Sequence, residues 1–112
     1  MSSEFAGRLR ERIVIEQRVS ERSAIGVQQA GWETVARCLA AIEPAGVGAE
    51  REGMALSAMT RFRVTIRWRE GVAVGQRVRW KDRWMTVRQR RDDPRHPERL
   101  ILGCEEVRDE VG

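Results

Sequence analysis

The side chains best able to do chemistry are Cys38, Cys104, the single histidine His96, and the aspartates Asp82, Asp92 and Asp93. Nucleophilic catalysis needs a Ser or Cys held beside a base. His96 sits in the polar stretch RRDDPRHPE with no nucleophile signature near it. Zinc sites gather four Cys or His ligands, usually in closely spaced pairs. This chain has no CxxC and no Cys/His cluster. Adjacent acids such as Asp92 and Asp93, in a loop with prolines, are ordinarily solvated. Gly46 and Gly48 lack the Lys-Ser/Thr that completes a phosphate-binding loop. The expectation is therefore no enzyme, no metal and no cofactor. The two cysteines are distant in sequence, and both are expected to be reduced and buried.

A different kind of signal lies in RFRVTIRWRE. Phe62, Val64, Ile66 and Trp68 occupy one parity, and Arg61, Arg63, Arg67 and Arg69 the other. Successive side chains of a strand point to opposite faces, so this pattern predicts one apolar and one cationic face. The cationic face has three possible uses: water, protein or nucleic acid. The chain holds 21 basic and 17 acidic residues for a net charge of +4. Lys81 is the only lysine. A DNA-binding module concentrates phosphate contacts and carries a larger positive excess. Arginine also suits ion pairs at protein interfaces, and the 17 acids can meet it in a homo-oligomer. Trp32, Trp68, Trp80 and Trp84 could stack single-stranded bases, but packing in the core and along strand edges is the simpler use. Trp84 has the opposite parity to Met85 and Val87. That makes it the tryptophan expected to be exposed, and an interface anchor.

These residues need a scaffold. At 112 residues the chain reads as one domain, 1–112. ERIVIEQRV (11–19) alternates as a strand, with Ile13, Ile15 and Val19 on one face. SERSAIGVQQAG reads as an exposed connection. WETVARCLAAIEP reads as a second strand stopped by Pro44, although a helix over Glu33–Ala41 is conceivable. AGVGAEREGMALSAM contains Gly46, Gly48 and Gly53 and reads as a long loop or a short helix at Ala49–Ser57. RVRWKDRWMTVRQR reads as a hairpin turning at Lys81-Asp82, with Val78 opposite Met85 and Arg79 opposite Trp84. RLILGCEEV closes the chain, with Leu100, Leu102 and Cys104 on one face. The sum is an all-β, mainly antiparallel small barrel or sandwich. MSSEFAGRLRER lacks an apolar signal core, and no apolar run reaches membrane-spanning length, so no membrane role is expected.

The order of segments resembles a known family. GRLRERIVI is followed by Trp32, LAAIEP, the Gly/Glu-rich insertion, VTIRWREGV, a RV…KDRW hairpin, a DDP loop and LILGCEEV. Together these resemble the phage head–tail joining proteins (head-closure or stopper proteins) of tailed phages, prophages and gene transfer agents. The likeness covers residues 7–108. It departs at Lys81-Asp82, where the family often has glycine, and at Trp68 and Met85, where it often has tyrosine. The resemblance implies a β-barrel assembling as a homo-oligomeric ring at the head–tail interface of a virion. Its partners would be portal or adaptor proteins on one side and tail proteins on the other, with double-stranded DNA passing through unbound. It further implies that the connection Glu43–Ala58 faces the channel, with Glu43, Gly46, Gly48, Glu50, Arg51, Glu52, Gly53, Met54 and Leu56 as its working residues. Arg61, Arg63, Arg67, Arg69 and Trp84 are the interface candidates. A small nucleic-acid-binding β-barrel is the alternative reading.

Overall fold

The computed structural model describes residues 8–22, 28–47 and 59–107. Six strands follow in order: β1 (Glu11–Arg22), β2 (Gln28–Val47), β3 (Met59–Arg67), β4 (Arg77–Trp80), β5 (Arg83–Asp92) and β6 (Arg99–Val107). All pairings are antiparallel, and the order β1-β2-β3-β6-β5-β4 closes into a barrel. Closure rests on a short seam between β1 and β4, where Val14, Ile15 and Glu16 face Arg79, Val78 and Arg77.

The period-two pattern decides what fills the barrel. Ile13 and Ile15, Val64 and Ile66, and Leu100 and Leu102 all point inward, as expected, with Val78, Met85, Val87 and Cys104 joining them. Ile15, Val64, Ile66, Leu100 and Leu102 have no exposed surface. Each such side chain contributes about 1.5–3 kcal/mol by leaving water. Val72, from the turn after β3, joins the same core.

The β4–β5 hairpin has the predicted register, with Val78 opposite Met85 and Arg79 opposite Trp84. Lys81 takes a positive φ of 57° in the turn. The β1–β2 connection is shorter than expected. Ser20, Glu21 and Arg22 still pair, with Ala30, Gln29 and Gln28, in a ribbon that no third strand joins among the described residues.

β2 also runs through Pro44 to Val47, so Pro44 does not stop it. Ala40 is the last β2 residue to pair with β1, opposite Glu11, and beyond it β2 pairs with β3 alone. A proline that cannot donate is tolerated where one side of a strand has no partner. The register then slips between Pro44 and Val47, where Gly46 adopts φ 107°. That left-handed backbone favours glycine. Glu43 and Gly46 are therefore strand residues, not parts of a loop. Gly48, Glu50, Arg51, Glu52, Gly53, Met54 and Leu56 lie outside the described residues.

Trp68 is a second correction. Its parity put it on the apolar face, but β3 ends at Arg67 and Trp68 is exposed. Its backbone N–H donates to the Glu98 carbonyl, and its indole donates to Asp92 Oδ1 at 3.3 Å.

Candidate docking faces

The outward side chains form two faces on opposite halves of the barrel. The first spans β2, β3, β6 and β5. Arg61 and Arg63 project from β3, and both are exposed, as is Arg67 at the strand end. Carboxylates of the same chain answer the first two. Arg61 and Arg88 meet Glu105 at 3.4 and 3.1 Å, and Arg8 and Arg63 meet Glu43 at 3.2 and 3.3 Å. Between them lies a concavity of about 350 Å³. Gly103 leaves its floor open, and a Cβ there would come within 3.3 Å of Gln89. Arg69 does not belong to this row. It lies past the end of β3, and its side chain hydrogen-bonds to Cys38.

The second face spans β5, β4, β1 and β2. Arg77 is paired with Glu16 across the barrel seam, and its Nε and Nη2 both lie 2.9 Å from Glu16 Oε1. Its guanidinium lies 3.8 Å from the ring centre of Trp32 and 3.9 Å from that of Trp84. Arg18 stands 5.7 Å from the Trp32 ring and Arg79 5.5 Å from the Trp84 ring. Register explains the assembly: Arg18 faces Trp32 and Arg79 faces Trp84. Guanidinium groups over indole faces gain about 0.5–2 kcal/mol each. Trp32 is 37% exposed and Trp84 42%.

Trp84 is thus exposed as its parity indicated, whereas Trp32 was expected to pack inside or along an edge. Only Trp80 approaches that expectation. It packs edge-on against Phe62 at 5.8 Å and donates to Glu11 Oε1 at 2.9 Å. Sequence reasoning missed Arg77 altogether, because the barrel seam that places it on this face pairs it with Glu16, 61 residues away in the chain. It also missed Gln76, a buried polar residue. Gln76 Nε2 donates to the Gly71 carbonyl at 2.8 Å, and its Oε1 accepts from the Ala73 N–H at 3.1 Å. These bonds fold the β3–β4 connection onto itself, and a longer bond from Nε2 to Gln17 Oε1, at 3.5 Å, reaches β1.

The groups that could do chemistry are kept apart or quiet. Burial pushes the Cys104 thiol up to about 12. Burial also raises Cys38, partly offset by the charge and hydrogen bond of Arg69. Both thiols are free, Cys104 is buried and Cys38 is half-buried. A protonated thiol is a poor nucleophile. Among the described residues no three His, Cys, Asp or Glu side chains gather as a metal site. What the surface offers is arginine, tryptophan and carboxylate, arranged for contact.

A profile of the phage head completion proteins matches residues 6–107. A chain in the virion of a native gene transfer agent particle shares the fold, with a TM-score of 0.70 and 18% identity over 90% of this chain and 96% of that one. The solution structure of a protein from Shigella flexneri 2a gives a TM-score of 0.69 and 22% identity over 89% and 94%. No curated protein sequence matches.

Proposed function

Because this chain belongs to the phage head completion protein family, we propose that it forms a ring between the portal–adaptor complex and the tail. There it helps close the DNA channel and offers the tail its attachment surface. The protein is a structural component of the virion, and it works by assembly. The observation that carries the proposal is the family match over residues 6–107. The barrel supports it, because a sheet that closes on itself leaves little free edge and meets neighbours mainly through its outer faces and its connections. The arginine–carboxylate face fits subunit or adaptor contacts, with Arg61, Arg63 and Arg67 supplied by β3; Trp84, from β5, offers an anchor on the other face.

We assign the channel role to the connection between β2 and β3. Gly48, Gly53 and the small residues around them suit close packing near a symmetry axis. Met54 and Leu56 are its apolar anchors, and Glu50, Arg51 and Glu52 can pair between neighbours. Glu43 and Gly46, at the end of β2, form its root. The isolated subunit should be a monomer or weak oligomer, with the ring forming on its template.

Deleting Gly48–Ser57 and bridging the gap tests the channel role. The barrel should melt as before, while particles should lose DNA to nuclease. A deletion that unfolds the barrel overturns the channel assignment. Particles that keep their DNA reduce the role to joining. The rival reading, a nucleic-acid-binding barrel, requires tight DNA binding by the free subunit that weakens steeply with salt.

A further inference from the structure

The second face carries something that ring closure does not use. Arg18, Trp32, Arg77, Trp84 and Arg79 form one alternating ladder across four strands. Its centre is neutralised, since Arg77 is bound to Glu16. Its ends are not: among the described residues neither Arg18 nor Arg79 has a carboxylate partner. The ladder is also held in place, because Arg77 is clamped between two rings and fixed by Glu16. Rigid, exposed tryptophan and arginine are what binding hot spots are made of.

We propose that this ladder docks an acidic strip of an unlike protein, with Arg18 and Arg79 as two carboxylate forks on the adjacent strands β1 and β4, offset along the seam, and the edges of Trp32 and Trp84 as its apolar wall. The proposal rests on the head-completion reading only for where such a partner is found. Charge complementarity selects the partner. A second copy offering its opposite face would present Arg61, Arg63 and Arg88 around Glu43 and Glu105, which repels the forks rather than meeting them. Base stacking is also disfavoured, because guanidinium groups already stand over the indole rings, and stacking needs an open ring face.

The test uses the full chain and a labelled dodecapeptide of alternating Glu and Val, followed by fluorescence anisotropy. Arg18→Glu/Arg79→Glu should weaken binding by at least roughly tenfold, each lost charge pair removing a large part of the affinity. Arg91→Glu/Arg95→Glu, an equal charge change on exposed residues outside the ladder, should leave it unchanged. If the double reversal does not fold, Arg18→Gln and Arg79→Gln remove the forks without adding repulsion and should show the same direction of loss. Equal loss in Arg91→Glu/Arg95→Glu overturns the proposal, since only net charge would then matter. So does a short duplex DNA that displaces the peptide and binds more tightly, or a double reversal that abolishes self-association instead. In particles, the double reversal should retain the barrel and lose a neighbouring protein. Particles without the chain that still hold DNA and tails would overturn the head-completion reading while leaving the peptide result intact.

Discussion

The two outer faces of the barrel use arginine in opposite ways. On the β3–β6 face the arginines themselves stay open to water: Arg61 is 46% exposed where it meets Glu105, and the Arg63–Glu43 pair leaves both side chains about half exposed, at 51% and 42%. On the β4–β1 face, Arg77 and Glu16 are 28% and 15% exposed, and two indoles cover the guanidinium. Exposed pairs contribute about 0–1 kcal/mol because water screens them and both side chains must be ordered. A pair shielded by aromatic rings keeps more of its attraction. The first face is therefore adaptable and the second is preorganised. A surface that must fit successive neighbours suits the first kind, and one that must seize a single partner suits the second.

The largest expected effect removes the support common to both. Ile66 is fully buried, and Ile66→Ala should cost about 2–5 kcal/mol. A loss below about 1 kcal/mol in chemical denaturation would show that the faces do not depend on this core. Next comes Arg77→Ala. It strips Glu16 of its ion-pair partner in a partly buried place and separates Trp32 from Trp84, so it should cost about 1–3 kcal/mol. Tryptophan emission should shift to the red as the rings become wetter. A loss no greater than that of Arg63→Ala would erase the contrast between the faces.

Half of that contrast was legible before the structure. The alternation at 61–67 marks β3 and its arginines directly, because each strand residue announces its face by parity. The hairpin register gave Arg79 opposite Trp84 for the same reason. The ladder was hidden because it joins Trp32, Arg77 and Trp84 from three strands through a closure that no local pattern encodes. The pairing of Ser20, Glu21 and Arg22 with Ala30, Gln29 and Gln28 was hidden too, since the polar run SERSAIGVQQAG carries no period-two pattern. Pro44 misled because its strand-breaking effect depends on whether a neighbour needs its missing N–H, and here β1 has already ended. Trp68 misled because parity holds only as far as the strand does.

A smaller effect separates the faces by pH. Cys104 belongs to β6, beneath the arginine–carboxylate face, and its thiol is raised by burial from 9.0 to about 12. A group with a raised folded value keeps its proton more tightly when folded. Its contribution is complete below pH 9 and is lost as pH rises from about 9 towards 12. Stability should fall by about 1 kcal/mol between pH 9 and pH 10. Cys104→Ala should flatten that slope whatever it does to the stability at neutral pH. Hydrogen exchange should show β6 loosening before the β1–β4 seam. A slope unchanged by the substitution would assign it to other groups.

The smallest expected effect is that of Arg63→Ala, and its smallness is the sharpest test of the comparison. Glu43 does not depend on Arg63, because Arg8 Nη2 also reaches it, at 3.2 Å against 3.3 Å from Arg63. Losing one of two exposed partners leaves the carboxylate both hydrated and paired, so nothing is stranded. The expected loss is about 0–0.5 kcal/mol in denaturant, and salt should shrink it further. Arg77→Ala at the same salt should keep most of its effect, since aromatic cover excludes the screening ions. If Arg63→Ala instead costs more than about 1 kcal/mol, the β3–β6 face is as preorganised as the ladder, and its arginines hold the barrel rather than waiting for a neighbour. If it costs nothing to the free protein yet hinders assembly of particles, Arg63 acts only at a contact the isolated subunit lacks, which is the behaviour an adaptable docking face requires.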